Sequence, residues 1–230
     1  MNEFLESLDT FGITLTLLVY IAASWLRSKV HHPLVNPMLI TVVVLIATLA
    51  LSGTSFASYN NSASILSFML TPVTVCLAVP LYLQLQELRR NVWAILAGIC
   101  TGTLAGLSVT LLYAKLVGLS VTEFATLLPR SITTPMGLGA SEKIGGIATV
   151  TVAIIVLTGI WGNLVGRTFL RLIRVREPIA RGVALGTSSH GMGTTLAFEL
   201  GQVEGAMSSL SIAITGVITV ALLPIFLRFM

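Results

Sequence analysis

The chain has 230 residues, 55% of them hydrophobic and only 10% charged, with a mean hydropathy of +0.95. A soluble globular domain carries roughly 25% charged residues, so water could not wet most of this surface. That excludes a soluble enzyme, a disordered chain and a nucleic-acid-binding protein. The formal charge of +4 comes from basic residues in short gaps between long apolar runs, a pattern that reports membrane topology rather than a polyanion site.

Four apolar segments come first, at Phe11–Leu26, Leu34–Leu51, Ile65–Leu83 and Val92–Tyr113. Each approaches the ~20 residues needed to cross ~30 Å of hydrocarbon. Two more follow, at Ile147–Gly166 and Ala206–Phe226. The first segment makes a poor signal peptide, because its flank (Glu3, Glu6, Asp9) is acidic where a basic stretch belongs. Cys76 and Cys100 lie inside apolar runs without CxxC spacing and are expected as reduced thiols. The aqueous stretches are too short for a separate soluble domain, so residues 1–230 are expected as one polytopic membrane domain.

The gaps 27–33, 85–91 and 167–181 hold nine of the thirteen Lys and Arg residues. Placing them in the cytoplasm puts the N-terminus outside. The fourth segment then ends outside near Lys115, and Ile147–Gly166 must start outside to end at the Arg cluster. Val121–Gly146 must therefore begin and end on one side, although Val121–Ala140 is fairly apolar. Pro129-Arg130 and Thr133-Thr134-Pro135 interrupt it, which predicts a re-entrant hairpin broken at its tip. Ile179–Leu200, weakly apolar and interrupted at Gly186, Gly191 and Gly193, is expected to do the same from the opposite face. Both segments as full crossings, with an Arg-rich outer loop, is the alternative.

The two broken segments resemble each other. Each has a hydroxyl pair (Thr133-Thr134; Ser188-Ser189), a breaking or polar residue (Pro135; His190) and a Met-Gly soon after (Met136-Gly137; Met192-Gly193). The fold class expected is an all-α integral membrane protein with about six full spans and two oppositely oriented re-entrant hairpins, in the inverted-repeat manner of secondary transporters. Non-helical backbone at membrane depth is tolerated only beside protein or a water-filled cavity. The half-helix leaving each tip would point its free N–H groups and positive dipole end there. The candidate substrate-binding residues are thus Thr133, Thr134, Pro135, Ser188, Ser189, His190, Gly191 and Gly193. Arg130, which could neutralise a carboxylate, joins them, as do Asn36 and Thr71, which precede prolines in the second and third spans.

His190 is the ionisable residue expected at a tip and the candidate for proton coupling; a neutral imidazole bonded to a carbonyl is the other reading. His31 and His32 are expected as solvated loop residues, and Glu199 and Glu204 as solvated. Gly98, Gly102 and Gly106 form a GxxxGxxxG ladder, read as close helix packing. No HExxH, Walker or GxSxG motif and no carboxylate pair at catalytic spacing is present in the sequence, so neither an enzyme, a metal site nor a cofactor is expected.

The blocks LVNPMLI, LTPVTVCLAVPLY, LLPRSITTPMGLGASEKIGGI and ARGVALGTSSHGMGTTLAFELGQVEGAMSSL resemble the LrgB/CidB membrane protein family, from about Pro33 to the C-terminus. The resemblance implies an antiholin-like or holin-like protein tied to murein hydrolase activity and lysis, with a small LrgA/CidA-like membrane partner. It also implies carboxylate transport, because the plastid glycolate/glycerate translocator contains a similar part and some bacterial pairs are linked to pyruvate uptake. The expectation is a secondary carrier for small monocarboxylates or 2-hydroxycarboxylates in the bacterial inner membrane, working by alternating access with proton coupling, as a homo-oligomer such as a dimer. The alternative is a regulatory subunit of a holin-like complex.

Overall fold

The computed structural model describes residues 10–30 and 35–230, with the side chains of residues 70, 71 and 74 excepted. His31 and His32 lie outside the described residues, as does the Thr71 side chain. Every element among the described residues is a helix, and the protein is an all-α membrane protein. By packing, the chain divides into two compact units, Met1–Cys76 and Leu77–Met230.

The N-terminal unit holds α1 (Phe11–Lys29), α2 (Pro37–Ser52), α3 (Phe56–Ser62) and α4 (Ser64–Cys76). Asn36 starts α2. Its side-chain oxygen accepts from the amides of Met38 and Leu39 at 2.9 and 3.2 Å, with Pro37 in the first turn. Gly12 has no side chain to block the approach of α3, and its amide donates to the Ser62 hydroxyl at 2.8 Å. The uncharged gap at 52–64 contains a short helix bound to α1.

The C-terminal unit holds α5 (Ala78–Leu83), α6 (Leu85–Val117), α7 (Val121–Leu127), α8 (Thr134–Lys143), α9 (Ala148–Leu172), α10 (Pro178–Leu200) and α11 (Gln202–Leu227). The predicted third span is therefore interrupted at Leu77, with Pro72 inside α4 and Pro80 inside α5. Among the described residues, α1, α6, α9 and α11 are long and apolar enough to cross a membrane. Trp93, Leu157, Trp161 and Val217 are exposed on three of them, as lipid-facing side chains should be.

The helix α6 is the ruler against which the two broken segments are placed. After Gly118 turns the chain in the left-handed region (φ 74°), α7 runs back along α6. Phe124 and Leu128 pack with Ala114 and Leu107, and Arg130 reaches Gly106 and Thr110. The chain then opens over Leu128–Thr133 and returns as α8, with Gly137 beside the Pro129 carbonyl and Gly146 against Ala125 and Thr126. At the other end of α6, α10 begins near Ile95, passes Gly98 at Val183 and Gly102 at Thr187, and breaks at Ser189 and His190. Its second half folds back on its first. Gly193 lies against the Leu185 carbonyl, and Leu185 and Leu196 both pack over Gly166.

The two hairpins thus approach from opposite ends of α6, and their tips meet near its middle. Gly102 and Gly106 mark the two tips, and four residues of helix separate them by about 6 Å. The helix that follows each hairpin runs on past the other tip. Along α9, Ile155, Gly159 and Gly162 pass Gly137, His190 and Ser189, and Gly216 of α11 lies under Met136. Glu204, expected as solvated, is buried (6% exposed) at the base of the second hairpin, 3.9 Å from Arg181. Glu199 is exposed and pairs with Arg167 at 3.3 Å.

Candidate functional site

Between the two tips lies a cavity of about 650 Å³, within the range of small-molecule sites. One wall is the ladder face of α6, with Gly98, Gly102 and Gly106 joined by Thr101, Thr103 and Thr110. The first hairpin contributes Leu128, Arg130 and Ser131; the ingoing half of α10 contributes Val183, Ala184, Thr187 and Ser188; α11 contributes Thr215 and Thr219. The cavity continues along α10 to Glu177 and Asn91. At the opposite end, beyond Arg130, Leu107, Phe124, Leu128 and Leu223 belong to a buried apolar cluster.

Arg130 is held by neutral groups. Its Nε–H donates to the Thr110 hydroxyl at 3.0 Å and an Nη2–H to the Gly106 carbonyl at 3.1 Å. The Thr110 hydroxyl in turn donates to the same carbonyl at 2.8 Å. Among the described residues the ion pairs are Arg167–Glu199 and Arg181–Glu204, and neither involves Arg130. The guanidinium therefore lines the cavity with its orientation fixed and its charge uncompensated, the arrangement that attracts an anion. Thr187 (7% exposed) and Thr215 (1% exposed) also line it, and their hydroxyl oxygens are buried without a hydrogen-bond partner.

Of the candidate substrate-binding residues named from the sequence, Arg130 and Ser188 line the cavity. Thr133 is the N-cap of α8, without a side-chain cap bond, and Thr134 and Pro135 form the first turn; none of the three is in the lining. Ser189 accepts or donates a 3.0 Å bond with Ser188 and is wedged against Gly162. His190 is buried, with Nε2 3.0 Å from the Ile155 carbonyl. A carbonyl only accepts, so Nε2 carries the proton. Its φ of 41° lies in the left-handed region, and that backbone turn is what reverses the helix. Gly191 is exposed and Gly193 is buried under the Leu185 carbonyl. Asn36 and Thr71 belong to the N-terminal unit. The Asn163 side chain donates to the Met192 carbonyl at 2.8 Å and braces the returning half-helix against α9.

The outgoing half-helices therefore face α9 and α11, and the cavity takes its polarity from Arg130 and from threonines on α6, α10 and α11. Sequence reasoning missed those threonines. The signal was present in the four-residue step that continues from Gly98, Gly102 and Gly106 to Thr110. It was also present in Ser208, Ser211, Thr215 and Thr219, which recur at helical spacing on one face of α11. Among the described residues no group of acidic, His and Cys side chains could hold a metal ion.

The LrgB-like family is matched over residues 16–229, nearly the whole chain. The chain belongs to the LrgB-like family. The antiholin-like protein LrgB of Bacillus subtilis (strain 168) is 35% identical over 219 residues, covering 95% of each chain. That of Bacillus cereus (strain B4264) is 34% identical over 220 residues, covering 95% of this chain and 96% of its own, and the Bacillus anthracis (strain CDC 684 / NRRL 3495) protein has the same values. No solved structure matches the chain.

Proposed function

We propose that the chain is a secondary carrier for small monocarboxylates and 2-hydroxycarboxylates, of the pyruvate, glycolate or lactate kind, working by alternating access. The observation that supports this is the cavity between two oppositely entering broken helices, lined at its closed end by an uncompensated arginine. Broken helices beside a cavity suit a transit site, because irregular backbone at membrane depth is tolerated beside protein or a water-filled cavity and is a recurring feature of carriers. In this proposal the acid enters past Asn91 and Glu177 and docks near Arg130. The hairpins then rock so that the Phe124 and Leu128 packing opens while the Val183 side closes. The titratable lining residues are Arg130 and Glu177, whereas His190 turns to the Ile155 carbonyl. Proton coupling stays in the proposal without an assigned carrier residue. The proposed setting is the bacterial inner membrane with the N-terminus outside, as a homodimer beside a small LrgA/CidA-like partner.

The names of the relatives favour a second reading, an antiholin-like regulator of lysis, and they speak for it more directly than for transport. The two are compatible if acid flux sets the conditions for autolysis. Uptake of labelled pyruvate, lactate and glycolate into proteoliposomes, with the chain alone and with the small partner, tests the carrier. Autolysis of cells lacking the chain tests the regulator. An altered lysis rate with no flux under either condition would remove the carrier reading and leave the regulator.

A further inference from the structure

We infer that the closed end of the cavity is a two-point anion site: Arg130 takes the carboxylate of the ligand, and the Thr187 and Thr215 hydroxyls take a second oxygen on the same small molecule. The inference deepens the carrier reading and rests on it for the ligand class. Three observations carry it. The first is the Arg130 guanidinium, which has spent bonds on Thr110 and Gly106 and has no acidic partner among the described residues. A partly buried cation without an anion is poorly solvated, and its remaining N–H groups, Nη1 among them, are free for a carboxylate.

The second is the pair of orphan hydroxyls. Both are more than nine-tenths buried, both line this cavity, and neither bonds to anything among the described residues. Threonine in a helix ordinarily returns its hydroxyl to the carbonyl one turn back, as Thr103 and Thr110 do here. Buried polar atoms are nearly always paired, so two unpaired ones on residues that line one cavity point to a partner that the chain itself does not supply. The third is spacing. Thr187 packs on Gly102 and Arg130 bonds to Gly106, levels about 6 Å apart along α6. A ligand of about five or six heavy atoms, such as glycolate or lactate, suits that step, with its charge at one level and its neutral oxygen at the other.

Such a site separates acids by what they carry beside the carboxylate. Lactate and propionate differ by one hydroxyl, and lactamide has the hydroxyl without the charge. Binding is measured by calorimetry on the purified full chain in detergent, independent of transport. In the wild-type protein, lactate should bind about tenfold more tightly than propionate, the value of a hydrogen bond to a buried orphan group. Lactamide should show no saturable binding. Arg130→Gln should weaken both acids by at least roughly tenfold, the loss of a charge-assisted contact, while Arg130→Lys keeps part of the affinity. Thr187→Val and Thr215→Val should each bring lactate towards propionate and leave propionate within about twofold.

Equal binding of lactate and propionate, wild-type affinity in the Gln variant, or a valine variant that weakens both acids alike would overturn the site. If the Gln variant is not recovered as monodisperse protein, the Lys and Val variants decide by the same criteria. Binding in this pattern without flux in proteoliposomes removes the carrier reading and keeps the site. Flux that Arg130→Gln leaves intact keeps the carrier and removes the site.

Discussion

Gly162→Ala tests the seat of the second hairpin on α9. A Cβ at position 162 would overlap the Ser189 hydroxyl and stand 2.5 Å from the Ser189 Cβ, where ordinary contact begins at 3.4 Å. Rotating Ser189 clears its oxygen but not its Cβ, so the tip must withdraw by about an ångström. Overpacking of this kind costs about 1–3 kcal/mol, which for a unit of this size lowers the melting temperature by roughly 3–10 °C. Ser188, next along the chain, lines the cavity, so ligand binding should weaken as well. The measurement is thermal unfolding in detergent, with Gly191→Ala as control because a Cβ there meets nothing within 4 Å. The double variant Gly162→Ala, Ser189→Gly removes the obstructing side chain and should recover most of the loss, since contacting sites couple. A single variant that melts with the wild type, or a double variant no better than the single, would refute the contact between α9 and the tip.

His190→Ala should lower the melting temperature by roughly 2–8 °C, because the Ile155 carbonyl loses its buried donor. His190→Gln, which keeps a donor, should lose less and leave the pH profile of any flux unchanged; a flattened profile would return the coupling role to this residue. The Ser120 hydroxyl and then its amide hold the Glu123 carboxylate below its usual range. Because that pKa is lowered in the folded protein, the stabilisation is present above the ordinary glutamate pKa and fades as pH falls through the lowered value. Ser120→Ala should flatten this acid-side dependence, read as melting temperature between pH 6 and pH 3 (roughly the interval that spans the carboxylate range); an unchanged slope would refute it. Single cysteines at Glu142 and Arg174, in a background lacking Cys76 and Cys100, should react with an impermeant reagent from opposite faces, and labelling from one face would overturn the topology.

Hydropathy reads the long helices well because lipid imposes one demand along their whole length. The predicted spans Ile147–Gly166 and Ala206–Phe226 correspond to Ala148–Leu172 and Gln202–Leu227. The broken segments were legible for a different reason. Pro129, Pro135, Gly191 and Gly193 weaken an apolar helix, and the chain does break beside them, over Leu128–Thr133 and at Ser189 and His190. Tertiary packing decided what the sequence left hidden. Glu204 looks like a solvated acid until Arg181 is beside it, and nothing in the 52–64 gap announces the short helix that docks on Gly12.

The candidate site was hidden because its walls come from residues whose polarity is ordinary until a neighbour is known. A threonine on an apolar helix usually satisfies itself on the preceding turn, so the spacing that puts Thr215 on a polar face does not show that it or Thr187 lacks a partner where Thr103 has one. Only the folded structure does. The glycine ladder of α6 shows the same ambiguity in one residue series. Gly98 and Gly102 admit Val183 and Thr187 at close range, which is packing, while Gly106 has open space above it and gives its carbonyl to Arg130. One spacing rule thus builds the contact with the second hairpin and the floor of the cavity under the first. The tips themselves are turned towards α9 and α11, where His190 and Ser189 are bonded or wedged. Their polar residues therefore hold the hairpins in place, and the residues one turn before them meet the cavity.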